Sequence, residues 1–374
     1  MRLTNIFHLG LKELVSLRHD MVLMLLIAYS FTIAIVAPAK GVRLELQNAS
    51  IAVVDEDRST LSRRLIDGLH APFFQPPQLV SLAEVDSGMD AGHYTFVLDI
   101  PPDFQADLTA GRRPQVQLNV DATAMAQAGS GARYIEQMID QEARIFVTGH
   151  PRASPLPVSL VTHLTFNPNS ESSWFLAVMQ IANMCTLLGI LLTGAALIRE
   201  REHGTIEHLL VMPLTPAEIM LAKVWSNALV ILAAATVALL LVVHGFLEVP
   251  IAGSVPLFML GLAVYLFALT AIGILLATLA RSMPQFGLLS IPVFLVMYML
   301  SGANTPLEAM PEILQKIVLA SPTTHFVSFS QGVIFRGAGI TQLWSQLLTT
   351  GAIGAIAFIA ALFRFRRTVS LTHL

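Results

Sequence analysis

Charge is what this sequence has least of. Asp, Glu, Lys and Arg make up 13% of its 374 residues, where soluble domains carry about 25%. The net charge of −3 offers no strong attraction to a polyanion, so nucleic acid is not an expected partner. A single cysteine, Cys185, excludes a disulfide framework and a cysteine-based metal site. It is expected as a small apolar filler inside a helix. His, Asp and Glu never recur at a ligand spacing, so no metal is expected. Ser130 lies in AGSGA, which lacks the G-x-S-x-G elbow, and belongs to a loop. No acid, base and nucleophile converge, so no catalytic residue is predicted. The phosphate-cradling pattern G-x-x-x-x-G-K-[ST] is missing too, so this chain does not handle ATP itself.

What the sequence has instead is apolar length. Hydrophobic residues are 54% of the chain, and a membrane helix needs about 20 of them in a row. Six runs qualify or nearly so: Met21–Ala37, Trp174–Leu197, Val224–His244, Pro256–Ala280, Gly287–Leu300 and Leu343–Phe363. The first and fifth are short, and the fifth contains Pro292, which predicts a kink or an irregular crossing. Trp174 and Trp344 open the second and sixth runs as interface anchors. Before the first run, Leu3, Ile6, Phe7, Leu11, Leu14 and Leu17 recur at helical spacing. That predicts an amphipathic helix over 1–20 lying on a membrane surface. Ala37-Pro38-Ala39 imitates a signal-peptide cleavage site. The long patterned segment ahead of it argues for an uncleaved anchor.

Lys and Arg set the expected orientation. With the N-terminus inside, the inner segments hold ten of them and the short outer segments hold Lys316 and Arg336. The positive-inside rule therefore puts both termini in the cytoplasm. Residues 38–173 then form one large outer domain. SIAVVDED, YTFVLDI and PQVQLNVD predict strands. STLSRRLIDGLH and PPDFQADLTAG predict helices, started by Ser59 or Asp57 and by Asp103. GARYIEQMIDQEARIFV predicts a longer amphipathic helix. The alternation implies a small α/β domain. Asp55, Glu56 and Asp57 are expected to serve a strand-end turn and a helix cap, not a cation.

The exception to the scarcity of charge is ALIREREHGTIEHLLVMPLTPAEIMLAKVW, residues 196–225. Gly204 breaks the second span, Pro213 ends a short segment, and Thr215, Pro216 and Glu218 form a capping box that starts the third. A connector needs only a few polar residues, whereas clustered Arg and Glu suit a docking surface. Within the spans, Asn183, Thr186 and Thr193 are expected to bond between helices or to the backbone, not to contact a substrate. No acid lies mid-membrane to relay protons.

REREHGTIEHLLVMPLTPAEIMLAK resembles the segment after the second span in ABC-2 type permeases, close to E-R-E-x-G-T-x-E-x-L-L-x-x-P. Glu200, Arg201, Glu202, Gly204, Thr205, Glu207, Leu209, Leu210 and Pro213 match it. LSGANTPLEAMP and SPTTHFVSFSQGVIFRG look like the family's segment between spans five and six. The resemblance covers the whole chain and is similar to bacterial inner-membrane transport permeases with a large periplasmic insertion, of the sort linked to drug efflux. It implies six membrane helices with an α/β domain inserted between the first two. It further implies a membrane subunit of an ATP-driven exporter, with ATP and Mg bound by a separate ABC ATPase subunit. Glu200, Arg201, Glu202, Gly204, Thr205, Glu207 and Pro213, within a segment over 199–223, would couple to that ATPase. Gly302, Pro306, Pro311 and Pro322 would belong to a re-entrant outer gate over 301–340, built of irregular backbone. A second permease chain, identical or paralogous, and a periplasmic membrane-fusion protein are the other implied partners. The competing reading is a membrane-anchored sensor or scaffold whose outer domain binds a ligand or a partner protein. Five further spans are more than anchoring requires.

Overall fold

The protein is described here by a computed structural model that covers residues 2–41, 48–121, 125–148, 172–202, 214–303, 307 and 310–371. It divides into two compact units, Val42–Ser172 and the remainder of the chain.

The unit 42–172 is built on a four-stranded sheet. Strands β1 (Ile51–Asp55), β2 (Gln78–Leu79), β3 (Phe96–Ile100) and β4 (Gln117–Val120) lie in the order β2-β1-β3-β4. β1 runs parallel to both neighbours, and β4 is antiparallel to β3. Helices α4 (Thr60–Gly68), α5 (Leu82–Asp90), α6 (Phe104–Thr109) and α7 (Met125–Thr148) complete the unit. Side-chain alternation along β1 sorts them. Ile51 and Val53 join Leu61, Leu65, Phe104 and Ile135 in one core. Ala52 and Val54 join Val85 in a second. Hence α4, α6 and α7 cover one face and α5 the other, as a parallel sheet buried on both sides requires. The expected α/β architecture is present, with β2 and α5 additional to the sequence reading.

Asp55 and Asp57, at the end of β1 and just after it, serve turns and caps. Asp55 accepts from the Arg58 N–H at 2.8 Å and the Ser62 hydroxyl at 3.0 Å. Ser59 caps α4 by accepting from the Ser62 N–H. Asp103 makes no side-chain cap. It sits at φ +60°, and Asp57 instead reaches across to the Gln105 N–H at 3.2 Å. The sequence reading therefore missed that α6 is capped by a residue distant in the chain.

The second unit is helical. It comprises α1 (Leu3–His19), α2 (Met21–Ser30), α3 (Ile33–Gly41), α8 (Ser172–Glu202), α9 (Pro216–Val237), α10 (Val255–Leu279), α11 (Met283–Met299), α12 (Glu312–Val318), α13 (Pro322–Ile334) and α14 (Ile340–Leu371). Among the described residues, five stretches are long and apolar enough to cross a membrane: 21–41, 173–202, 216–246, 255–279 and 340–367. The sixth expected span, α11, has 17 residues and continues through Pro292 without interruption. α9 runs on as a π-helical stretch, Ala238–Phe246, which the sequence pattern did not signal. α10 is the central element and packs along α9, α13 and α14. Its backbone also meets that of α8: a Cβ on Gly273 would lie 2.6 Å from the Ile190 carbonyl oxygen. Cys185 is fully buried in α8, as expected. Exposed Leu229, Leu241, Leu288, Ile291, Ile356 and Phe363 give the unit an apolar exterior, suited to lipid or to another apolar surface.

Candidate functional site

Four consecutive residues end α8, and each engages a different part of the helical unit. Successive side chains on a helix point about 100° apart, so the run Arg199–Glu202 fans outward. Arg199 reaches Asp20 at 3.4 Å. Asp20 in turn caps α2 by accepting from the Leu23 N–H. Glu200 lies 2.9 Å from Lys223 of α9. Arg201 donates to the carbonyls of Ala277 and Ala280 at 2.8 and 2.7 Å, placing a cation on the exposed acceptors that end α10. Glu202 accepts the Met283 N–H at 2.8 Å. Ser282, at the cap position of α11, makes no side-chain cap, and Glu202 supplies the acceptor. The end of α8, the start of α9, the end of α10 and the start of α11 therefore meet on one side of this unit.

Lys223 is the centre of this arrangement. It is 2% exposed and ion-paired with Glu13 of α1 at 3.0 Å as well as with Glu200. A buried ammonium is tolerable only with such partners. Lys223 is the eighth residue of α9 and immediately precedes the apolar run that begins at Val224.

α1 is held against α9 by more than this pair. The Trp225 indole N–H donates to the Ile6 carbonyl at 3.1 Å, and Trp225 stacks on Phe7 at 5.8 Å between centroids. Gly10 is where the ring passes: a Cβ there would lie 2.2 Å from it. The backbone N–H of Arg2 donates to Glu218. Glu218 also closes the predicted capping box, accepting from Thr215 N–H at 2.8 Å. α1 also exposes Leu3, Phe7, Leu11 and Val15, one every turn, as an amphipathic surface helix presents. A cavity of about 270 Å³ opens where α1, α8 and α9 meet, lined by Lys12, Glu13, Asp20, Arg199, Glu200 and Asn227.

Of the residues singled out for coupling, Glu200, Arg201 and Glu202 thus come together. Gly204, Thr205, Glu207 and Pro213 lie outside the described residues. Of those singled out for the outer segment, Gly302 follows α11 at φ +84°, while Pro306 lies outside the described residues. Pro311 and Pro322 stand at the starts of α12 and α13. These two prolines occupy helix-starting positions, where a missing N–H costs nothing. α13 is largely buried, with Phe326, Phe329 and Val333 in the core.

Of the polar residues of α8, Thr186 bonds between helices, while Asn183 donates to Gln180 of the same helix and the Thr193 hydroxyl has no partner among the described residues. The Thr186 hydroxyl lies 2.5 Å from the hydroxyl of Tyr265, which donates to Thr323 at 2.9 Å. All three are buried, and Tyr265 stacks on Phe326 at 4.2 Å. This chain ties α8, α10 and α13 together.

A polytopic helical membrane protein results, whose charges hold helices in register and converge on no reaction centre among the described residues. The chain belongs to the ABC-2 transporter family: the family model described as "ABC-2 family transporter protein" matches residues 21–363. It is 52% identical to the inner membrane transport permease YhhJ of Escherichia coli K12, over 98% of both chains. It is 28% identical to the probable multidrug ABC transporter permease YbhR of the same organism, over 96% of this chain and 97% of that one. To the ABC transporter G family member 20 of Dictyostelium discoideum it is 24% identical, over 51% of this chain and 27% of that protein. It is a transport permease of that family, and the family is not one of enzymes.

Proposed function

We propose that this chain is the membrane-spanning subunit of an ATP-driven exporter in a bacterial inner membrane, with both termini in the cytoplasm. A separate ATPase subunit binds ATP and Mg and docks on the segment between α8 and α9. Two permease chains together form the pathway, and a lipophilic or drug-like compound leaves through it. The names of the relatives support the membrane and the substrate class. The observation that carries the coupling is the fan of Arg199, Glu200, Arg201 and Glu202. A displacement of the segment just after Glu202 is felt at once by the ends of α9, α10 and α11. That is what an element driven by a partner needs.

Reversing Glu200 or Arg201 would break the helix joint as well as any docking, so the test uses Glu207→Lys, beyond that joint. The chain is co-expressed with its ATPase subunit, and co-purification and substrate-stimulated ATP hydrolysis are measured. Loss of the complex by about tenfold is expected for a charge reversal at an interface. Unchanged binding and unchanged stimulation would defeat the docking assignment.

A further inference from the structure

In the sequence of the unit 42–172, acids, histidines and Ser130 stand at no catalytic or ligand spacing. The structure presents a different feature. Between α6, β4 and α7 lies a groove of about 820 Å³, within the range that encloses a drug-sized molecule. Its floor is apolar: Leu108, Val116, Leu118 and Ile139 are half-buried against the fully buried Ile135 and Phe104. Its rim carries three arginines, Arg112, Arg113 and Arg133, and two acids, Glu136 and Asp140.

The charges on that rim are unevenly matched. Arg112 is ion-paired with Asp107, and Asp140 with Arg144. Arg133 spends its Nε on the Gly129 carbonyl, and Arg113 has no hydrogen bond or ion pair among the described residues. With Arg112 and Asp140 matched, two guanidinium groups and the single carboxylate of Glu136 remain. The balance is one positive charge beside an apolar trough. Arginine presents a planar fork of donors that fits carboxylate, sulfonate or phosphate oxygens in pairs.

We infer that this groove binds an amphipathic monoanion, its apolar body on Leu108, Leu118 and Ile139 and its anionic head between Arg113 and Arg133. A cationic amphiphile of the same shape meets the wrong sign and is rejected. An uncharged one leaves the head position unpaired. The inference concerns binding to this unit and stands whether or not the permease is an exporter.

The test uses the full-length chain in phosphatidylcholine nanodiscs, with empty nanodiscs as the blank. The probe is 11-(dansylamino)undecanoic acid, whose emission rises and shifts to the blue in an apolar site. Saturable binding above the blank is expected, displaced by unlabelled dodecanesulfonate. Arg113→Glu combined with Arg133→Glu should weaken it by at least about tenfold, through reversed charge at the head position. Ile139→Trp, which fills the trough and leaves every charge in place, should weaken it equally. Both arginines are exposed, and unchanged circular dichroism and elution volume establish that the variants fold. Signal no greater than the blank overturns the inference. So does wild-type affinity in either variant, or equal affinity for a dansyl-undecyl-trimethylammonium probe.

Discussion

Gly10 and Trp225 touch so closely that the space for a side chain on Gly10 is occupied by the indole ring. The contact lets α1 lie against α9, and it brings Glu13 to Lys223 one turn later. Gly10→Val forces the ring aside. A loss of about 1–3 kcal/mol is expected from overpacking, seen as a lower midpoint of heat-induced aggregation in detergent. Protease access to α1 should rise in parallel. A variant as stable and as protected as wild type would show that α1 is not seated on this tryptophan.

Lys223 offers a sharper contrast. Lys223→Met leaves Glu13 and Glu200 facing one another without their cation. Removing one partner of a buried ion cluster costs about 3–5 kcal/mol. Adding Glu13→Gln and Glu200→Gln to Lys223→Met removes the orphaned charge. Much of the loss should return, because a neutral cluster has no desolvation penalty to offset. Thermal melting of the single and triple variants decides it: a triple variant no better than the single one contradicts an electrostatic role.

Glu202 acts as the cap that α11 lacks in its own sequence. Glu202→Ala should cost about 0.5–2 kcal/mol, the range for a lost cap. Glu202→Gln retains an acceptor oxygen and should cost less. Amide exchange at the first turn of α11, followed by mass spectrometry, reads the effect locally. Equal exchange in all three proteins would remove the cap assignment.

Tyr265→Phe deletes the hydroxyl that links Thr186 to Thr323. Thr186 keeps its bond to the Ala182 carbonyl, so the penalty falls mainly on Thr323. About 1–3 kcal/mol is expected for a buried group left unsatisfied. Thr323→Val added to Tyr265→Phe should restore part of it, a non-additivity that a double-mutant cycle measures.

In the unit 42–172, the Glu84 carboxylate accepts from both the N–H and the hydroxyl of Ser81. These bonds hold its pKa below the ordinary carboxylate value. The folded value being lower than the unfolded one, the stabilisation is full above the unfolded pKa of about 4.3. It is lost as pH falls through the folded value. The difference in unfolding midpoint between wild type and Glu84→Gln should therefore shrink on acidification. A difference independent of pH would contradict it.

Some of this architecture was legible because it is local. Thr215 and Glu218 close their capping box three residues apart, and Ile51–Asp55 announces a strand by its own residues. Other parts depend on partners far apart in sequence. Asp57 caps α6 from the loop after β1, and Glu13 meets Lys223 only because Gly10 admits Trp225. β2 is two residues long, too short to establish a period. The π-helical turn at Ala238–Phe246 leaves an unbroken apolar run in the sequence, since it changes the backbone bonding and not the composition. In the charged stretch, the sequence pointed toward a docking surface. The structure shows that Glu200 and Arg201 engage neighbouring helices and that the exposed Glu202 accepts from the start of α11.

The fan at the end of α8 also constrains how this molecule can move. Arg201 holds the end of α10 and Glu202 the start of α11 through backbone atoms, not side chains. A substitution in α10 or α11 other than proline at Met283 therefore leaves the partner atoms in place, because every other residue offers the same carbonyl or N–H. The grip depends on the sequence of α8 alone. Neighbouring helices are free to vary in evolution, or under a designer's hand, while the hinge that gathers them stays intact.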